Sequence, residues 1–280
     1  MATVDILIPT YNRPAALAVT LTSLIAQTYK DFRVIISDQT ESRDTESEDG
    51  GVIAAGEVQA VLRVLRSSLG GVSDPVQTHR HLPRRGMAEH RQFLLDQATA
   101  PYALFLDDDL ILESYVVEQM LTAIQDEECG FVGSGLIGLS FLNDVRPDQQ
   151  AIEFWEGSVR PESLHPGMPQ WERWKLHNAA NLYHIQQNLA LTPQNTRKYR
   201  VAWVGGCVLY DVAKLRSVGG FSFWRDLPEN HCGEDVLAQQ RVMAQYGGCG
   251  ILPSGVYHQE LETTIYDRSN NAPVMLPLAT

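Results

Sequence analysis

The chain has 280 residues, 44% apolar and 20% charged, the balance of a globular protein with one large domain or two small ones and a sizeable core. Its formal charge of -12 argues against a general nucleic-acid binder and against electrostatic docking on an anionic membrane, while leaving room for a local basic pocket. Cys129, Cys207, Cys232 and Cys249 form no CxxC and no metal-ligand spacing, so they read as reduced thiols of a cytosolic protein, with Cys207 as a small buried residue. The N-terminus shows no signal peptide, and no apolar run approaches the ~18 residues of a membrane span.

Taken in order, V-D-I-L-I (Val4 to Ile8) reads as a first strand, ended by Pro9. In the loop that follows, Thr10 or Asn12 is the expected cap of a helix over 15–27, with Pro14 in its first turn. F-R-V-I-I-S (Phe32 to Ser37) is a second strand ending at Asp38, which completes a strand–helix–strand unit with parallel strands. The acidic stretch 40–51 reads as a surface loop. A short helix over 52–59, a strand over 61–66 and an irregular basic stretch over 67–85 are expected next, then a helix over 87–99 with Arg91 off its apolar face. Arg80, Arg84, Arg85 and Arg91 stand out in an acidic protein. They are either a solvated face or a clamp for phosphate oxygens, since no glycine-rich phosphate loop is present.

Y-A-L-F-L (Tyr102 to Leu106) is a buried strand running straight into Asp107, Asp108 and Asp109. Three carboxylates between apolar runs are costly to bury unpaired, so they point to the rim of a sheet and to a hard divalent cation. Parallel α/β sheets bind ligands at the carboxyl ends of their strands, where Pro9–Arg13, Asp38 and Asp107–Asp109 all fall. A helix over 115–125 and a strand over 130–135 follow. Segment 140–200 is rich in tryptophan and proline, with a helix expected over 171–188; its aromatic residues are core or a platform for a sugar ring or acyl chain. V-A-W-V-G-G-C-V-L-Y (Val201 to Tyr210) is strand-like, and a helix over 212–218 stops at Gly219-Gly220. Glu234-Asp235 open a helix over 236–246, where first-turn carboxylates also suit the helix dipole. A strand over 250–252, Tyr257-His258-Gln259 and a loosely held segment after Ile265 complete the chain.

The series V-D-I-L-I-P-T-Y-N-R-P, V-I-I-S-D, A-L-F-L-D-D-D, W-V-G-G-C-V-L-Y, V-G-G-F, G-E-D and His258 resembles the inverting GT-A glycosyltransferases of family 2 over nearly the whole chain. The resemblance implies an α/β GT-A fold, Rossmann-like, with a mostly parallel central sheet flanked by helices and an acceptor-side helical insert over about 140–200. It implies a nucleotide-sugar-binding half over 1–110, an acceptor and catalytic-base half over 111–265, and a tail over 266–280. By the same resemblance Pro9, Thr10, Tyr11 and Arg13 line the nucleotide pocket and Asp38 meets the base. Asp107 and Asp108 belong to the D-x-D motif near the ribose or metal, with Arg85 and Arg91 assisting at the phosphates. Asp109 and His258 hold Mn2+ or Mg2+, Trp203, Gly205 and Gly206 lie on the acceptor side, and Asp235 is the base with Glu234 beside it. His90-Arg91-Gln92 departs from the family's A-R-N by a longer amide. The implied partners are a UDP- or dTDP-sugar donor and a hydroxyl of a glycan or lipid-linked acceptor, with no nucleic acid and at most peripheral membrane contact at the inner face. Rival readings are a haloacid-dehalogenase-type phosphatase using Asp107–Asp109, a sugar nucleotidyltransferase lacking its glycine-rich loop, and a sugar-nucleotide-binding protein without catalysis.

Overall fold

The computed structural model describes residues 2–41, 51–263 and 265–278. Four parallel strands carry the first half of the site: β1 (Val4–Thr10), β2 (Phe32–Asp38), β3 (Val76–Arg80) and β4 (Tyr102–Leu106). β1 is buried along its whole length, as a central parallel strand covered on both faces must be. Its one charge, Asp5, is neutralised at depth by Arg33 at 2.7 and 2.8 Å and by the backbone N–H groups of Thr99 and Ala100.

β5 (Leu110–Leu112) follows the aspartates; β6 (Phe131–Gly133), β7 (Arg197–Tyr199), β8 (Cys207–Asp211), β9 (Gly248–Leu252) and β10 (Val256–His258) complete the strands. The main sheet has eight strands in the order β3-β2-β1-β4-β8-β6-β9-β7. β8 is antiparallel to β4 and β6, and β7 to β9, so the sheet is mainly parallel. β5 and β10 form a separate antiparallel pair.

Alternation along the strands divides the core. Ile6, Ile8, Val34 and Leu104 face α1 (Pro14–Ile25), α2 (Gly56–Ser68) and, further along the sheet, α4 (Val116–Glu127). Leu7, Ile35, Ala103 and Phe105 face the layer of α3 (Met87–Gln97), α5 (Asn181–Asn188), α6 (Val212–Ser217) and α7 (Glu234–Tyr246).

Several local expectations are corrected. Pro9 lies inside β1: β4 pairs with β1 only as far as Leu7, so the proline sits where one side of the ladder is open. Neither Thr10 nor Asn12 caps α1, whose N-cap is Arg13 without a side-chain bond. The expected strand over 61–66 is part of α2, because Val58, Leu62 and Leu65 repeat at helical spacing and are all buried. The stretch 67–85 contains β3, a polar edge strand that leaves no apolar signal. The helix over 171–188 is two pieces, a 3-10 segment at Pro169–His177 and α5, separated near Ala179 at φ 50°. Only Cys207–Asp211 of the strand-like run is strand. Most of the acidic loop lies outside the described residues.

The last segment is tied down rather than loose. Cys232 N–H donates to Asn270 and Ala272 N–H to the Cys232 carbonyl, each at 2.9 Å, and α8 (Ala272–Met275) buries Ala272 and Pro273 beside α7. Gly233, at φ 73°, makes room for this: a Cβ there would stand 2.4 Å from Asn271 Oδ1.

Candidate active site

β4 ends at Leu106 and the chain turns through the three aspartates before β5. The turn is held from beneath. Thr20 on α1 donates its hydroxyl to the Asp108 carbonyl at 2.9 Å and accepts the Leu110 N–H at 3.0 Å. Gln259 N–H donates to the Asp109 carbonyl at 2.9 Å. The β5–β10 pair sets His258 opposite Leu110, which brings its imidazole beside Asp109, Nε2 to Oδ2 at 3.4 Å.

The three carboxylates have different neighbours. Asp108 accepts the Thr10 hydroxyl at 2.6 Å, and burial pushes it up to about 7. Burial also acts on Asp109, but the His258 hydrogen bond and the His258 and Arg13 charges outweigh it and hold it below the ordinary range. His258 is raised in turn, chiefly by that hydrogen bond. Arg13 donates to Asp109 Oδ2 at 2.8 Å, lies 3.6 Å from Asp108, and its other arm donates to the Glu262 carbonyl. Asp107 faces Arg91 at 3.1 Å.

Arg91 links α3 to the aspartate turn and to the start of α7. Expected off the apolar face of α3, it is buried, with Nε on Glu234 at 3.0 Å and an arm on Asp107. Burial alone would lower the guanidinium's pKa; Asp107 and Glu234 reverse the sign. Asp235 stands at the start of α7 beside Glu234, which is paired with Arg91. Burial, then the Glu234 charge, pushes Asp235 up to about 7. Arg91, Asp235, Gly206 and Gln239 all line one small internal gap.

The stretch 201–206 is fixed by α7. Gln239, one turn beyond Asp235, accepts the Val204 N–H at 2.8 Å and donates to the Val204 carbonyl at 2.7 Å, while Gln240 donates to the Ala202 carbonyl. Trp203 is held between these two clamps, its ring 5.0 Å from Trp171 and 6.3 Å from Trp174. Gly206, at φ 72°, accepts the Asp107 N–H on its carbonyl at 2.8 Å; a Cβ there would meet Asp107 Oδ2 at 3.1 Å and Leu136 at 2.8 Å. Gly205 has open space around it.

The remaining candidates divide. Pro9, Arg13 and the aspartates line one cavity of about 340 Å3 together with Leu261, Thr263, Ile265 and Arg268. Tyr11 is covered by the Arg84 guanidinium, 3.7 Å from its ring centre. Asp38 is buried at the end of β2, one oxygen accepting the Thr40 N–H at 2.8 Å. The four arginines do not converge: Arg80 donates to the Thr40 carbonyl, Arg84 lies on Tyr11, Arg85 is exposed, and Arg91 is buried. Gln239 and Arg268 escaped sequence reading. The departure at Gln92 has a structural use: its longer amide accepts the Phe221 N–H at 2.8 Å and so holds the V-G-G-F turn.

This arrangement can be compared with known proteins. The Glycosyl transferase family 2 model matches residues 5–50 and 52–192. The chain belongs to glycosyltransferase family 2. S. aureus TarS 1-349 in complex with UDP-GlcNAc superposes with a TM-score of 0.53 at 16% identity, over 94% of this chain and 60% of that one. The mannosyltransferase PcManGT from Pyrobaculum calidifontis, in complex with GDP-Man and Mn2+, gives 0.54 at 13% identity, over 94% and 59%. These likenesses establish the GT-A fold, and this family 2 chain spans about three-fifths of the length of each of those chains. No curated protein matches the sequence significantly. Among the described residues no helix is long and apolar enough to cross a membrane.

Proposed function

We propose that this family 2 chain transfers a sugar from a nucleoside diphosphate sugar to a hydroxyl acceptor, with inversion at the anomeric carbon. The observation that carries the reading is Arg91, whose contacts with Asp107 and Glu234 tie the aspartate turn to the start of α7, next to Asp235. On this reading, Asp235 accepts the proton of the acceptor hydroxyl, whose oxygen bonds to the anomeric carbon as the carbon–phosphate oxygen bond breaks. The nucleoside diphosphate leaves from the opposite side, which is what inverts the centre. Glu234, paired with Arg91, supports Asp235 rather than competing with it.

Asp109 and His258 are the residues fit to hold Mn2+ or Mg2+. Among the described residues no cluster of three His, Cys, Asp or Glu side chains forms a cage; Asp109 and His258, 3.4 Å apart, would leave the other positions of a cation to phosphate oxygens and water. A cation there supplies charge neutralisation for the diphosphate leaving group. Thr10 and Arg13 orient Asp108 and Asp109; Pro9, Tyr11 and Asp38 border the nucleoside, for which UDP or dTDP is favoured. Trp203, Gly205 and Gly206 form the acceptor side, suited to a glycan or lipid-linked hydroxyl, as in polysaccharide biosynthesis. We place the protein in the cytoplasm, meeting a membrane at most peripherally.

A thermal-shift panel of UDP, GDP, dTDP and CDP sugars, with and without Mn2+, tests this. One nucleotide should raise Tm, more so with Mn2+, and Asp109→Ala should lose the Mn2+-dependent part. Silence of every diphosphate would remove the transferase reading.

A further inference from the structure

The cavity at the aspartate turn holds two arginines, and they stand in different states. Arg13 is already engaged by Asp109, Asp108 and the Glu262 carbonyl. Arg91, behind Asp107, is closed between two carboxylates. His258 serves Asp109. Each of the three aspartates thus already has a protein partner before any ligand arrives. Arg268 is the other arginine of this cavity; it is exposed, and no carboxylate among the described residues lies within ion-pair distance of it. Its neighbour Asp267 is turned away, accepting the Ser269 N–H at 2.9 Å.

Arg268 is also on a held piece of backbone. The described residues 260–263 and 265–271 lie between β10, beside Asp109, and the Cys232 ladder at the start of α7. They form a wall of the aspartate cavity through Leu261, Thr263, Ile265 and Arg268. They also form a wall of the neighbouring cavity of about 400 Å3, where Ile265, Tyr266 and Asp267 meet Gln39 and Arg84 at the ends of β2 and β3. A ligand filling both cavities would pass under this segment.

Resting on the transferase reading above, we propose that Arg268 is a diphosphate-binding residue, the cation of this site left uncommitted for the donor's phosphates. A guanidinium with no ion-pair partner among the described residues gives up no such contact when it takes a phosphate oxygen, whereas Arg13 would first have to leave Asp109. Sequence reading missed it because it lies beyond the last family motif.

The test uses the full chain and a probe without a base, Mn2+ with inorganic pyrophosphate, beside UDP and GDP, all by calorimetry. Arg268→Ala should weaken Mn2+-pyrophosphate and the preferred nucleoside diphosphate about tenfold to a hundredfold, the range for one charged hydrogen-bonding partner. Binding of Mn2+ alone should be unchanged, Arg268→Lys should recover part of the loss, and the exposed Arg63→Ala on α2 should behave as wild type. Unchanged pyrophosphate and nucleotide binding in Arg268→Ala would overturn the assignment while leaving the transferase reading intact. Failure of the wild type to bind any of the diphosphates would overturn both.

Discussion

Asp235 stands in a field of like charge. Its neighbours are Glu234 and, through Arg91, Asp107, and its carboxyl is pushed up to about 7 by burial first and by Glu234 second. A base must be ionised to accept a proton, so turnover should rise with pH through about 7 and level off above it. Asp235→Asn should leave donor binding nearly intact, cut turnover by at least about a hundredfold and abolish that limb. The same shift has a stability consequence. A carboxyl raised in the fold binds more protons there than in the unfolded chain, so the fold loses stability as pH climbs from the ordinary carboxylate range through about 7. Asp235→Asn removes this penalty and should raise Tm at pH 8 more than at pH 4. Melting curves at the two pH values, beside a turnover profile, check both signs; equal turnover in the variant would exclude Asp235 as base.

At the scale of elements, the loop 201–206, proposed above as the acceptor side, depends on α7 for its shape. Gln239 serves Val204 on both its N–H and its carbonyl, as a neighbouring strand would. Gln239→Leu keeps the volume and strands two buried backbone groups, at a cost of roughly 1–3 kcal/mol each. We expect a loss of at least about 2 kcal/mol by denaturant unfolding, together with a raised KM for acceptor and a nearly unchanged donor affinity. A stable variant with normal acceptor kinetics would show that the loop keeps its shape without this clamp. This dependence explains what the sequence hid. β1, β2 and β4 were legible because buried apolar runs announce themselves. The aspartate turn was legible because three charges at a strand end have few destinations. Val201–Gly206 also reads as a strand, since its apolar residues do bury, but its hydrogen bonds go to glutamine side chains distant in sequence. β3 is a polar edge strand, and α2 repeats V-L-R in a rhythm that fits helix and strand alike. Of the candidate site residues, Arg91 was expected on the wrong face because an arginine buried between two carboxylates carries no local signature.

Across the whole molecule, the crevice is closed by a segment that composition alone marks as loose. Its polar residues and prolines say nothing of Gly233, whose missing side chain lets Asn271 approach, or of the backbone bonds at Cys232. α8 buries Ala272 and Pro273, Leu276 and Leu278 pack against the core layer of α7, and Arg241 donates to the Pro277 carbonyl at 3.1 Å. A chain ended after Ile265 would uncover this surface at the helix that carries Asp235. From the apolar area lost, roughly 2–4 kcal/mol of stability should go, which for a domain of this size lowers Tm by at least about 5 °C. Gly233→Ala should move in the same direction by a smaller amount, because the segment is displaced rather than removed. Scanning calorimetry of the two variants orders them. If the segment is a structural part of the donor site, the truncated chain should also bind Mn2+-pyrophosphate more weakly than Arg268→Ala, since it loses the wall along with the charge. A truncated chain that melts with the wild type would mean that the segment rests on the crevice without supporting it.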